Sequence, residues 1–287
     1  MSTIVGLVIV LASVLGGFLL SGGPLPVLFQ PYELLVIGGA AGGALFISSP
    51  GRVFVRVRHA FKKGFGSHAP TKQDYLDLLK LLYQILALIR REGVLALEPH
   101  ISERQSSSIF QAYPSVLKRH HAMDFLVDGL KQLVDGCSSE ELAMLFDAEL
   151  ETHHDEEHQP IGLIRQAGES LPGMGIVAAV LGIIITMAHL DGGPEEIGHH
   201  VAAALVGTFL GILLCYGVVG PIANSAEMQS AAEGRYMHCI KEAVVAAARG
   251  VNPAIAIEFA RRAIFSDERP TGPELEQAFA ELKGKPA

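Results

Sequence analysis

From Ile197 to Ala226 the chain contains no Asp, Glu, Lys or Arg, and none from Ser170 to Leu190. From Ser2 to Gly51 the only such residue is Glu33. Uncharged runs of this length leave few folds open. A bilayer's hydrocarbon core is about 30 Å thick, and a helix of about 20 apolar residues crosses it. The runs predict four spans, roughly 2–20, 29–49, 171–190 and 199–222. The mean hydropathy of +0.35 and the 49% hydrophobic content agree, because the apolar residues are concentrated in these runs and not spread as in a soluble core. The first run lacks a basic leader region, and a second span follows the short turn "SGGPLP", so it reads as a retained span.

Lys and Arg set the orientation. Arg52, Arg56, Arg58, Lys62 and Lys63 crowd the end of span two, which places that end in the cytoplasm. The turn between spans three and four carries only acids, Asp191, Glu195 and Glu196. All 22 basic residues fall in 52–168 or 235–287, so both termini and most of the polar chain are expected on the cytoplasmic side of an inner membrane. The net charge of −8 offers no basic field suited to nucleic acid. Cys137, Cys215 and Cys239 share no metal-like spacing.

The polar stretches read as helices. "DYLDLLKLLYQILALIRREG" repeats Leu78, Leu81, Leu82, Ile85, Ala87, Leu88 and Ile89 at helical spacing. Its first turn carries Asp74 and Asp77 and its last Arg90 and Arg91, matching the helix dipole. Gly93 loosens that helix, and Pro99 is expected to end any continuation. Two further helices follow, the second capped by Ser138 or Ser139, with Pro160 interrupting before span three. Beyond span four, a helix continues into water, a short helix opens at Asn252-Pro253, and the tip is loose. No strand alternation is convincing. The fold class is therefore an all-α integral membrane protein: a hairpin over 1–50, a cytoplasmic helical domain over 51–169, a second hairpin over 170–222 and a cytoplasmic tail over 223–287.

Candidate sites divide by environment. "HDEEH", His154 to His158, fits the spacing of a zinc-protease motif, but its neighbours are polar on every side, whereas a zinc site needs a packed surround. It reads as a solvated helix end, without an enzymatic role. In the membrane the small residues carry the signal. Gly38 with Gly42, Gly39 with Gly43, and Gly207 with Gly211 are small-xxx-small pairs, which permit close helix approach in lipid. Thr208 places a hydroxyl about 15 Å into its span, and Ala179 lies about 12 Å into span three, at comparable depth. Spans three and four hold no acid or base, so an ion path there needs a titrating group from another chain.

These residues resemble the MotA family of flagellar-motor stator subunits, within the wider MotA/TolQ/ExbB group. The family's last-span pattern is filled by Ala204, Leu205, Gly207, Thr208, Phe209, Gly211 and, beyond Leu213, Pro221. "LPGMGIVAAVLGII" resembles the opening of span three and supplies Pro172. The resemblance covers nearly the whole length. It implies a homo-pentameric ring around a MotB-like single-span partner whose aspartate carries the ion, with torque delivered to the rotor protein FliG. It also implies no cofactor and no catalysis. The family's rotor-facing charges fall on Glu98 and on Arg90 or its neighbour Arg91, and its coupling prolines on Pro172 and Pro221. Sodium-driven relatives place hydroxyls where Ala179 and Gly207 stand, so the resemblance implies a proton path past Thr208. The alternative is an ExbB- or TolQ-like energiser of an outer-membrane process, against which the paired hairpin before the cytoplasmic domain argues. A passive scaffold leaves the Thr–Gly seam unexplained.

Overall fold

The computed structural model describes residues 2–49, 51–66, 69–104, 106–188 and 193–283. The turn containing Asp191, the last two residues forecast for span three, and the four C-terminal residues lie outside the described residues. The chain is all-helical, with no strand among the described residues. Among the described residues four helices are long and apolar enough to cross a bilayer. Contacts divide the chain into two units, Met1–His68 with Glu156–Gln229, and Ala69–Asp155 with Ser230–Ala287.

The first unit contains α1 (Ser2–Leu20), α2 (Leu25–Leu28), α3 (Pro31–Ser48) and α4 (Gly51–Lys63). Gly22 takes a positive φ of 80° to turn the chain after α1, a conformation open to glycine without steric cost. The single turn of α2, started by prolines, was not visible in the sequence pattern. Helix α4 is amphipathic: Val53, Val57 and Ala60 are buried at helical spacing, with Arg56, Arg58 and Lys62 exposed.

The second unit opens with α5 (Lys72–Glu92), capped by Thr71. The Asp74 amide donates to the Thr71 hydroxyl, and Asp74 Oδ2 accepts from the Thr71 amide at 2.8 Å. After Gly93, at φ 87°, a 3-10 turn (Val94–Leu97) leads into α6 (Glu98–Ser102). Pro99 therefore opens a helix and does not close one, because its missing N–H costs nothing in a first turn. Short helices α7 (Ser108–Gln111) and α8 (Pro114–Leu117) precede α9 (His120–Val134).

Helix α10 runs unbroken from Ser139 to Ala188, with Ser138 as its cap through a reciprocal bond with Glu141. Both Pro160 and Pro172 lie inside it. The expected interruption at Pro160 is thus corrected. A proline removes one donor and displaces one carbonyl, and Ile161 and Ile164, buried directly after it, hold the helix to α4 and to Ala223 and Ala226. Helix α11 (Pro194–Leu213), a π-helical segment (Leu214–Val219) and α12 (Gly220–Ala248) form one continuous rod. Helices α13 (Pro253–Arg262) and α14 (Gly272–Lys283) complete the second unit.

The core of the second unit joins what the sequence reading separates. Tyr75, Leu78, Leu82 and Phe125 share one hydrophobic cluster with Tyr236, Ile240, Val244 and Ile257 from the C-terminal region. The helices between Ser230 and Lys283 are part of that body.

Candidate functional site

Within the first unit, α10 and α11 meet along a seam of very small residues. A Cβ on Gly175 would lie 2.7 Å from the Gly207 carbonyl oxygen and 3.2 Å from the Thr208 Cα. On Gly211 it would lie 2.5 Å from the Leu171 carbonyl oxygen and 3.1 Å from the Gly175 Cα. On Gly182 it would meet Ala204 at 2.8 Å. No side chain fits at these positions, so backbone packs on backbone, as helix association in lipid favours. Ala178 and Ala179 are buried on the same stretch of α10.

Thr208 is partly buried, and among the described residues its hydroxyl has no hydrogen-bond partner. Thr186 is different. Its hydroxyl donates to the Gly182 carbonyl at 2.8 Å and is satisfied within its own helix. The seam therefore carries one hydroxyl with unused capacity, at Thr208.

The glycines of span two do not join this seam. Among the described residues a Cβ at Gly38, Gly39, Gly42 or Gly43 would meet nothing within 4 Å. The inward face of α3 is instead Glu33, Ile37 and Ala41, spaced by four, with Ile37 and Ala41 buried against Leu171, Ala178 and Cys215. In the sequence Glu33 is only a lone charge in an apolar run. In the structure its Oε2 is sealed from solvent without a hydrogen bond among the described residues. It lies 2.7 Å from where a Cβ on Gly207 would be, and Oε1 lies 3.5 Å from the corresponding point on Gly182.

The two prolines fall at different levels of the packed pair: Leu171, directly before Pro172, lies against Gly211, ten residues before Pro221. Gly168, one turn before Pro172, packs on Val219 and Gly220, directly before Pro221. Pro221 follows the π segment, where the Gly220 amide donates to the Cys215 carbonyl, five residues back. Such a widened turn absorbs a helix irregularity and recurs at functional positions. The end of α4 is fastened just beyond: Gln229 Nε2 donates to the Lys63 and Gly66 carbonyls at 2.7 and 3.0 Å. Two acids of "HDEEH" pair with α4, Glu156 with Arg56 at 3.1 Å and Glu157 with Lys63.

In the second unit Arg90, Arg91 and Glu98 are all exposed. Arg91 is engaged by Glu92, with Nη2 at 2.7 Å from the carboxylate. Arg90 and Glu98 have no ion pair among the described residues.

A four-span helical bundle closed along a glycine seam, with an available hydroxyl beside it, defines an integral membrane protein of the helix-bundle class. Residues 118–238 match the MotA/TolQ/ExbB proton channel family, and residues 4–93 match the motility protein A N-terminal family. Motility protein A of Salmonella typhimurium is 39% identical over 278 residues, covering 96% of this chain and 94% of its own. The fold is shared with C. jejuni MotAB, at a TM-score of 0.79 and 23% identity, over 94% of this chain and 98% of that one. It is shared also with the flagellar MotAB stator complex of Bacillus subtilis, at a TM-score of 0.77 and 26% identity, with the same coverage. This chain belongs to the MotA family of flagellar motility proteins. It is a stator subunit of the flagellar motor, a membrane protein and not an enzyme.

Proposed function

We propose that this chain surrounds a MotB-like single-span partner as a homo-pentameric ring in the inner membrane, with both termini in the cytoplasm. In this reading the complex conducts protons, and their passage drives torque on the rotor protein FliG. The observation that carries it is the unpartnered Thr208 hydroxyl on a seam of bare glycine backbone. A hydroxyl in lipid seeks a partner, and the close contacts of Gly207 and Gly211 with α10 fix the backbone that carries it. The partner's aspartate completes that position, with Ala179 on the facing stretch of α10. A sodium ion needs several replacement oxygens at one depth, and Ala179 and Gly207 offer no side-chain oxygen, which favours the proton.

Occupancy of the aspartate is transmitted through Pro172, next to the Leu171–Gly211 contact, and Pro221, which follows the π segment. Rotor contact falls to Arg90 and Glu98. Arg91 is already held by Glu92, which favours Arg90 as the arginine that meets FliG. The open glycine faces at Gly38, Gly39, Gly42 and Gly43 suit contacts between subunits of the ring or with lipid. The test is deletion of this chain. Cells should assemble flagella that do not turn, and re-expression should restore rotation. Cells that lack filaments altogether would place the protein in flagellar assembly and overturn the reading.

A further inference from the structure

Glu33 has a bland explanation that is incomplete. It stands in the first turn of α3, where an acid is favoured by the helix dipole. The dipole does not explain why its carboxyl points into the seam, with Oε2 sealed and unbonded. Nor does it explain the notch that receives it. Gly207 and Gly182 both lie under the carboxyl, where a Cβ would approach its oxygens to 2.7 and 3.5 Å. An acid inside a membrane helix, facing the bundle interior without an ion-pair partner, is costly in lipid and marks ion pathways.

Resting on the proton-conducting reading, we propose that Glu33 is a proton-exchanging carboxyl of the ion pathway, on the outer side of Thr208. As a carboxylate it takes a proton from water at the outer face and becomes the neutral acid. It then releases that proton, directly or through the Thr208 hydroxyl, to the carboxylate of the partner helix, and returns to its charged form. No electrons move and no other bond changes. The placement is what makes this work: the carboxyl lies against Gly207, the residue before Thr208, and α3 begins only two residues before Glu33.

The titratable groups near this carboxyl are few. On α11 they are His199, His200, Glu195 and Glu196, all towards its outer end from Ala204. From Ser170 to Ala188, α10 has none, and α3 itself adds only Tyr32.

The experiment compares low-load motor speed in cells carrying the intact complex, for wild type, Glu33→Gln and Glu33→Asp, across external pH at fixed membrane potential. Glutamine keeps the shape and loses the exchangeable proton. Its speed should fall about tenfold near pH 8 and come within about twofold of wild type near pH 6, where hydronium itself supplies the path. Aspartate keeps the carboxyl and should keep the wild-type pH profile at a modest loss of speed. If Glu33→Gln does not reach the membrane in normal amounts, Glu33→Asp together with carbodiimide labelling of the wild-type complex decides. A carboxyl that exchanges protons should be modified at Glu33, less so as external pH rises. A Glu33→Gln speed profile identical to wild type overturns the proposal. So does an equal loss at every pH, which would assign Glu33 to packing. With a poorly inserted glutamine variant, absence of pH-dependent labelling at Glu33 overturns it. Wild-type speed that follows external sodium and ignores pH instead overturns the proton reading, and the wild-type control reveals this before any variant is scored.

Discussion

In the membrane unit the tightest contacts are backbone on backbone, Gly175 against Gly207 and Gly211 against Leu171. In the polar unit they are large side chains, with Tyr75, Phe125, Phe146 and Tyr236 fully enclosed among leucines. The exposed faces differ in the same sense. Ile183, Ile184 and Ile185 are 46, 59 and 52% exposed on α10, a waste of apolar area in water but an ordinary lipid-facing surface. Apolar burial drives the second unit together at about 25 cal/mol per Å². In lipid that force between helices is missing, and what remains is how closely two backbones can approach. The same chain therefore depends on glycine in one unit for what leucine does in the other.

The sharpest way to break this comparison is to add atoms to the seam. Gly211→Val places a Cβ 2.5 Å from the Leu171 carbonyl, a backbone atom that cannot turn aside. We expect loss of inserted protein on membrane immunoblots and complete paralysis. Normal levels of the variant would show that the seam is looser than the backbone contacts require. The second test separates packing from coupling. Pro221→Leu restores the donor that proline lacks, and should leave protein amounts normal while abolishing most torque in tethered-cell assays. Normal rotation would reduce Pro221 to a tolerated irregularity.

Removing atoms is the corresponding test of the polar unit. Leu82→Ala should lower stability by about 2–5 kcal/mol. Thermal unfolding of the detergent-purified protein should detect this, with cells slowed before they are stopped. A cost below 1 kcal/mol, on the order of a surface change, would mean that the core relaxes around the cavity. The smallest effect is expected at the surface. Charge reversal of Arg90 or Glu98 alone should reduce torque slightly, since an exposed pair contributes about 1 kcal/mol or less. The double reversal should be worse, with insertion unchanged. Full torque in the double variant would remove these residues from the proposed rotor contact.

Legibility in the sequence follows the same division. The spans were readable because absence of charge over about 20 residues has one physical meaning. Leu78, Leu81, Leu82 and Ile85 were readable as a buried stripe from periodicity alone. Tyr75, Leu79 and Leu86, also buried, were missed because α13 and α14 cover further sides of α5, and no local pattern records a helix arriving from far along the chain. Gly207 and Gly211 were recognised as small, but the "GGAAGG" of span two looked equally persuasive and faces nothing in its own chain. A small-residue pair states that close approach is permitted without naming the neighbour. Glu33 was hidden for that reason, since its meaning resides in Gly182 and Gly207 on two other helices.

The π segment before Pro221 has a consequence for anyone mapping this helix by scanning. Gly207, Gly211 and Cys215 recur every fourth residue, and each such step rotates the buried stripe about 40° around an α-helix. Left uncorrected, the stripe would wind away from α10. One surplus residue between Leu214 and Val219 turns it back, so that Ile222 and Ala226 are again buried. A helical wheel drawn straight through from Ala204 to Gln229 is thus out of phase by about 100° in its second half. Accessibility measured one cysteine at a time should show two regular waves with a break in phase between them.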